Sequence, residues 1–109
     1  MSDAETPRAV ALVRSDMPPS GVDLESVAER YGYRLVYTVV TEAGAVVTTL
    51  AVVQHAREWA AGAVVVPGFA HAYAVRQVIT GFAALVTPTQ LYPRGHRWPA
   101  DALRFEKER

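Results

Sequence analysis

The segment VVVPGFAHAYAVRQV, residues 64–78, decides the fold. Three consecutive valines are β-branched and apolar on both sides, the pattern of a strand buried on both faces of a sheet. Pro67-Gly68 breaks that strand, and helical spacing follows. From His71 to Phe82, residues Val75, Val78, Ile79 and Phe82 fall on one face, which predicts a helix over 71–82. A buried strand, a tight turn and a helix form half of a βαβ unit, so the search for further units runs outward from here.

Upstream, AVALVRS (9–15) reads as a strand and DMPPSG as a loop, where two prolines bar a helix until about Ser20. Ser20 and Asp23 have the spacing of a capping box, with Asp in place of Glu or Gln. In the helix that follows, Leu24, Val27, Ala28 and Tyr31 share one face, while Glu25, Glu29 and Arg30 face water. Gly32 ends it. YRLVYTVV (33–40) is a second strand, and TEAGA is a loop. The second helix covers 47–62. Leu50, Val53, Ala56 and Ala60 form its expected buried stripe, flanked by Val52 and Trp59, and Gly62 is its stop. AVVV (63–66) and AALVTP (83–88) are the third and fourth strands.

The order is β-α-β-α-β-α-β with a tail. It predicts an α/β fold: a three-layer α/β/α sandwich on a mainly parallel, four-stranded, flavodoxin-like sheet. The 109 residues make one domain. Residues 1–7 are expected to be a disordered N-terminus, and 89–109 a C-terminal tail or short helix.

Composition narrows the function. The formal net charge is zero, so nothing draws the whole chain toward nucleic acid or an anionic membrane. There is no cysteine, which removes disulfides and thiol chemistry. The start, MSDAETPRAV, lacks the basic-then-apolar pattern of a signal peptide, and no apolar run reaches membrane-spanning length. A cytoplasmic protein is expected. Arginine, alanine and valine abound, while Lys107 and Ile79 are single examples of their types, a bias that fits a GC-rich bacterial genome.

In such a sheet, ligands gather at the carboxyl ends of the strands. The loops there, 15–22, 41–46, 67–72 and 87–90, with Tyr73 just beyond, supply a candidate binding edge of Arg14, Ser15, Asp16, Glu42, Phe69, His71 and Tyr73. Ser15, His71 and Asp16 contain the residue types of a nucleophile, base and orienter. The three histidines lie on different elements without ligand spacing, so no metal is expected. There is no phosphate-cradling glycine motif and no cofactor is expected. YPRGHRW (92–98) interleaves Arg94, His96 and Arg97 with Tyr92 and Trp98, the chemistry of phosphate neutralisation and base stacking. The competing expectation is that these aromatics dock on the sheet edge.

Residues 9–88 resemble the catalytic domain of serine recombinases, the resolvase and invertase family. The resemblance lies in a first strand ending at Arg14, a helix ending in Tyr31-Gly32, and a loop with Glu42 and Gly44. It continues through a helix ending in Gly, a valine strand, and a loop into a helix. The resemblance implies a resolvase-like sheet and a serine nucleophile two residues after the arginine. Asp16 stands there, and Ser15 is one residue early. It also implies Asp-Arg-x-x-Arg after the third strand, where this chain has Phe69, Ala70, His71, Ala72 and Tyr73. The expectation is a catalytically inactive domain acting through association with protein, a copy of itself included. The alternatives are a nucleic-acid-binding accessory protein using Arg14 and the 92–98 segment, and an enzyme of another type using Ser15.

Overall fold

The computed structural model describes residues 6–99 apart from Pro19 and Ala43. Among these, the chain runs β1 (Arg8–Arg14), α1 (Leu24–Arg30), β2 (Arg34–Thr41), α2 (Ala45–Glu58) and β3 (Ala61–Val65). Two 3₁₀ turns (Phe69–His71 and Tyr73–Val75) lead into α3 (Arg76–Phe82), then β4 (Ala84–Val86) and β5 (Leu91–Tyr92). The sheet order is β2-β1-β3-β4-β5. The first four strands are parallel, and β5 pairs antiparallel with β4.

Side chains alternate across β1. Ala9 joins Ala63, Val65, Ala84 and Val86 under Val27 and Ala28 of α1. Val10 and Leu12 join Val64 and Leu85 under Val52 and Ala56 of α2 and Ile79 of α3. One face of the sheet thus takes α1 and the other takes α2 and α3. The central strands read as unbroken apolar runs because both of their faces are covered. Strand β2 is an edge, and Tyr37, Thr38 and Val40 lie exposed along it.

Six expectations need correction. The sheet has five strands, because part of the expected tail, Leu91–Tyr92, adds a short antiparallel strand. Its turn is set by Thr87, whose Oγ1 accepts from the Gln90 N–H (3.0 Å) while the Thr87 N–H donates to the Gln90 carbonyl (2.8 Å). Two residues between Pro88 and Pro93 are too few to show alternation. The cap of α1 is Asp23 rather than Ser20: its Oδ1 accepts from the Glu25 and Ser26 N–H groups, and its Oδ2 takes the Ser26 hydroxyl proton (2.8 Å). Pro7, expected to fray, accepts the Arg34 N–H at 2.9 Å. The other expected terminal segments, residues 1–5 and 100–109, lie outside the described residues.

The third helix begins five residues late. Residues 69–75 wind with i→i+3 hydrogen bonds, Ala72 N–H to Phe69 and Val75 N–H to Ala72. At three residues per turn, Phe69, Ala72 and Val75 line up toward the core. The switch to α-helical winding at Arg76 keeps Ile79 buried and leaves Val78 exposed. In α2 the buried stripe is Thr48, Val52 and Ala56. Leu50, expected in the core, is 64% exposed, and Ala60 is exposed as well. Leu50 lies off the buried stripe of Thr48, Val52 and Ala56, on the side of the helix away from the sheet.

The end of α2 comes at Glu58, and the reversal is made by Ala60 (φ +53°) rather than Gly62, which lies within β3. A Cβ in the left-handed region costs about 1 kcal/mol. Ala60→Gly should therefore raise stability by about 0.5 kcal/mol after the entropy of the unfolded glycine is counted. Urea unfolding of the two proteins measures this directly, and a less stable variant would deny the strain.

Candidate binding edge

Strand β1 sends its connection to β2 on one side and is flanked by β3 on the other, so strand order reverses between β1 and β3. The crevice beyond their carboxyl ends is where doubly wound sheets hold ligands. Arg14 ends β1 there, and Pro67-Gly68 carries the chain away from β3. The 3₁₀ turn after Gly68 swings His71 back across the gap. Its Nδ1 accepts the Arg14 backbone N–H at 3.0 Å. A lone pair on Nδ1 means a neutral ring with its proton on Nε2. His71 is only 9% exposed, and burial pulls its pKa below the usual value of 6.5. The nearby Arg14 charge lowers it further, and Asp16 opposes. This histidine is a closure between two loops.

The Arg14 side chain is occupied as well. Nε donates to Asp16 Oδ1 (3.1 Å) and Nη2 to Asp16 Oδ2 (2.6 Å), a two-pronged pair. That pairing holds the Asp16 carboxyl below its usual range. The remaining wall of the crevice comes from Gly44, Ala45 and Thr48 at the start of α2, with Ala74 and Val75. Its volume is about 40 Å³, room for a water or two and for no nucleotide.

The candidate residues therefore divide. Arg14, Asp16 and His71 come together. Ser15 lies beside them, exposed, with its N–H bonded to the Thr41 carbonyl (2.9 Å). Among the described residues, neither Ser15 nor Asp16 hydrogen-bonds His71, and the His71 Nδ1 and both Asp16 carboxylate oxygens are engaged with Arg14. Glu42 is exposed at the head of α2.

Phe69 and Tyr73 belong to a second group. The Phe69 ring meets Tyr73 at 5.8 Å edge-on, Tyr92 at 5.6 Å and Trp98 at 5.7 Å. Trp98 packs on Tyr92 (4.9 Å) and on His96 (4.5 Å), and its Nε1 donates to Thr80 Oγ1 at 3.0 Å. The 92–98 aromatics thus dock on α3 and on the loop after β3, and pack on one another in tilted and edge-on contacts. Arg94 and Arg97 remain exposed.

At the base of this group sits Arg76, which sequence reasoning missed. It is 9% exposed, its guanidinium lies 4.0 Å from the Tyr73 ring and 5.4 Å from that of Trp98, and Nη1 donates to the Tyr73 carbonyl (2.6 Å). Aromatic faces take the role of a counter-ion. An arginine at the head of a short helix carries no signal of this, because its partner Trp98 is 22 residues away in sequence.

Among the described residues there is no cluster of side chains that could hold a metal ion, and no helix is long and apolar enough to cross a membrane. No protein-family model, curated protein or solved structure matches the chain.

Proposed function

We infer that this chain is a resolvase-like, three-layer α/β/α domain of the cytoplasm that performs no recombination chemistry and works by binding protein. The single observation that carries this reading is the two-pronged closure of Arg14 by Asp16. Cutting and rejoining a phosphodiester needs free cations around a transition state of high negative charge. Here the cation at the end of β1 is neutralised by its neighbour but one. The loop after β3 offers Phe69, Ala70, a neutral His71, Ala72 and Tyr73. The next cation along, Arg76, is buried between rings. Exposed apolar side chains support the association half of the reading. Tyr73 is 50% exposed at this edge, and α2 adds Val46, Val47 and Leu50.

The test is a DNA assay. At about 50 mM salt, where phosphate contacts are strongest, a labelled duplex should show no mobility shift with micromolar protein. Supercoiled plasmid should stay uncut, with no protein–DNA adduct. A shift that fades steeply with added salt and is lost in the Arg94→Ala, Arg97→Ala double variant would replace this reading with nucleic-acid binding. A covalent adduct lost in Ser15→Ala would replace it with an enzyme.

A further inference from the structure

The outward face of α2 is apolar where a surface helix is usually polar. Val46, Val47 and Leu50 are 74%, 57% and 64% exposed. Val46, Leu50, Val53 and Arg57 are spaced 4-3-4, the seam of a helix that packs against another helix. Beside the second half of this seam, between α2 and α3, lies an open groove of about 650 Å³. Val53, Ala56, Val78, Gly81 and Phe82 line it, and Arg57 stands at its edge. One end of the helix therefore presents apolar knobs and the other an apolar hollow. The charges are arranged in the same sense. Glu42 lies eight residues before Leu50 and Arg57 seven after it, both exposed and, among the described residues, without an ion-pair partner.

Knob, hollow and base on α2, with the acid just ahead of it, placed about evenly either side of Leu50, make a surface complementary to itself under a two-fold rotation. We propose that two copies of this chain associate through α2, with the helices antiparallel and the axis passing at Leu50. Val46 and Val47 of each copy then enter the groove of the other, and Glu42 of each meets Arg57 of the other. A parallel arrangement would set acid beside acid and leave both hollows unfilled. This rests on the protein-binding reading above and names its partner.

Sedimentation of the full chain tests it. Twice the 11.9 kDa mass is expected at about 100 μM. Leu50→Asp, at an exposed position, should keep the circular dichroism of the parent and weaken association by about thirtyfold or more. Glu42→Arg and Arg57→Glu should each weaken it, and the double variant should recover it. Because the chain has no cysteine, Leu50→Cys gives one thiol per copy. That thiol should crosslink the dimer under mild oxidation, whereas Arg94→Cys should not. A monomer at every concentration overturns the proposal, as does a dimer that survives Leu50→Asp or charge exchange that fails to restore it. None of these outcomes involves DNA, so the dimer can fail while the DNA result upholds protein binding, and the reverse.

Discussion

Trp98→Ala should lower the unfolding free energy by about 3 kcal/mol, the usual scale for removing a packed aromatic side chain. The ring touches Phe69, Tyr92 and His96, covers the Arg76 guanidinium, and donates a hydrogen bond to Thr80. Its loss removes apolar burial and ring–ring contacts, and leaves a buried cation facing space. For a chain of this size the melting temperature should fall by roughly 15 °C. Urea denaturation should show a lower midpoint at an unchanged slope, because the whole domain still unfolds as one unit. Trp98→Phe keeps most of the packing and loses the Thr80 bond, so about 1 kcal/mol is expected. A Trp98→Ala protein within 0.5 kcal/mol of the parent would show that residues 92–98 are not part of the core. The effect has a functional side too. Phe69 and Tyr73 are held by this group, so loosening it frees the loop that forms the binding edge.

His71→Leu should cost about 2 kcal/mol, because the Arg14 N–H loses its acceptor at the closure between β1 and the loop after β3. His71→Asn offers an amide oxygen near the place of Nδ1 and should recover part of that. The same bond makes stability depend on pH. Protonating Nδ1 removes the lone pair that takes the Arg14 proton, and burial already disfavours the charged ring. The folded-state pKa lies below the unfolded value of 6.5, so between the two the unfolded chain binds more protons. This contribution is complete above pH 6.5, shrinks as pH falls below it, and levels off once the folded pKa is passed. Thermal melts of the parent and of His71→Asn from pH 8 to pH 5 separate it: the parent should lose more stability on acidification than the variant. Equal losses would mean that protonation of His71 does not govern stability in this range.

The exposed face of α2 shows why the two levels of information differ. Residues 45–56 contain four valines, a leucine and two threonines around the whole helix, so periodicity alone allows more than one buried stripe. Hydrophobic spacing points to Leu50, Val53, Ala56 and Ala60. The structure buries Thr48, Val52 and Ala56 against the strands instead. The misplaced Leu50 is also the residue on which the association surface turns. The stretch after β3 behaves likewise. From Arg76 onward the chain is α-helical with Ile79 buried, but Val78, placed by spacing on the same face, is exposed, and residues 69–75 wind as 3₁₀ turns that bury Ala72 and bring His71 to Arg14.

Local chemistry alone determined the strand and helix types, their alternation, the parallel sheet and the poverty of the loop after β3 in charge. Each of these follows from neighbours within a few residues: β-branched runs, proline and glycine breaks, and the plain identity of residues 69–73. Tertiary structure alone decided that Arg14 is closed by Asp16 and His71, that Arg76 lies between Tyr73 and Trp98, that a fifth strand completes the sheet, and which side of α2 faces water. The His71 and Trp98 contacts join side chains that meet only after the chain has doubled back, and even the near neighbours Asp16 and Tyr73 turn to their arginines only in the folded loops. A linear pattern carries neither.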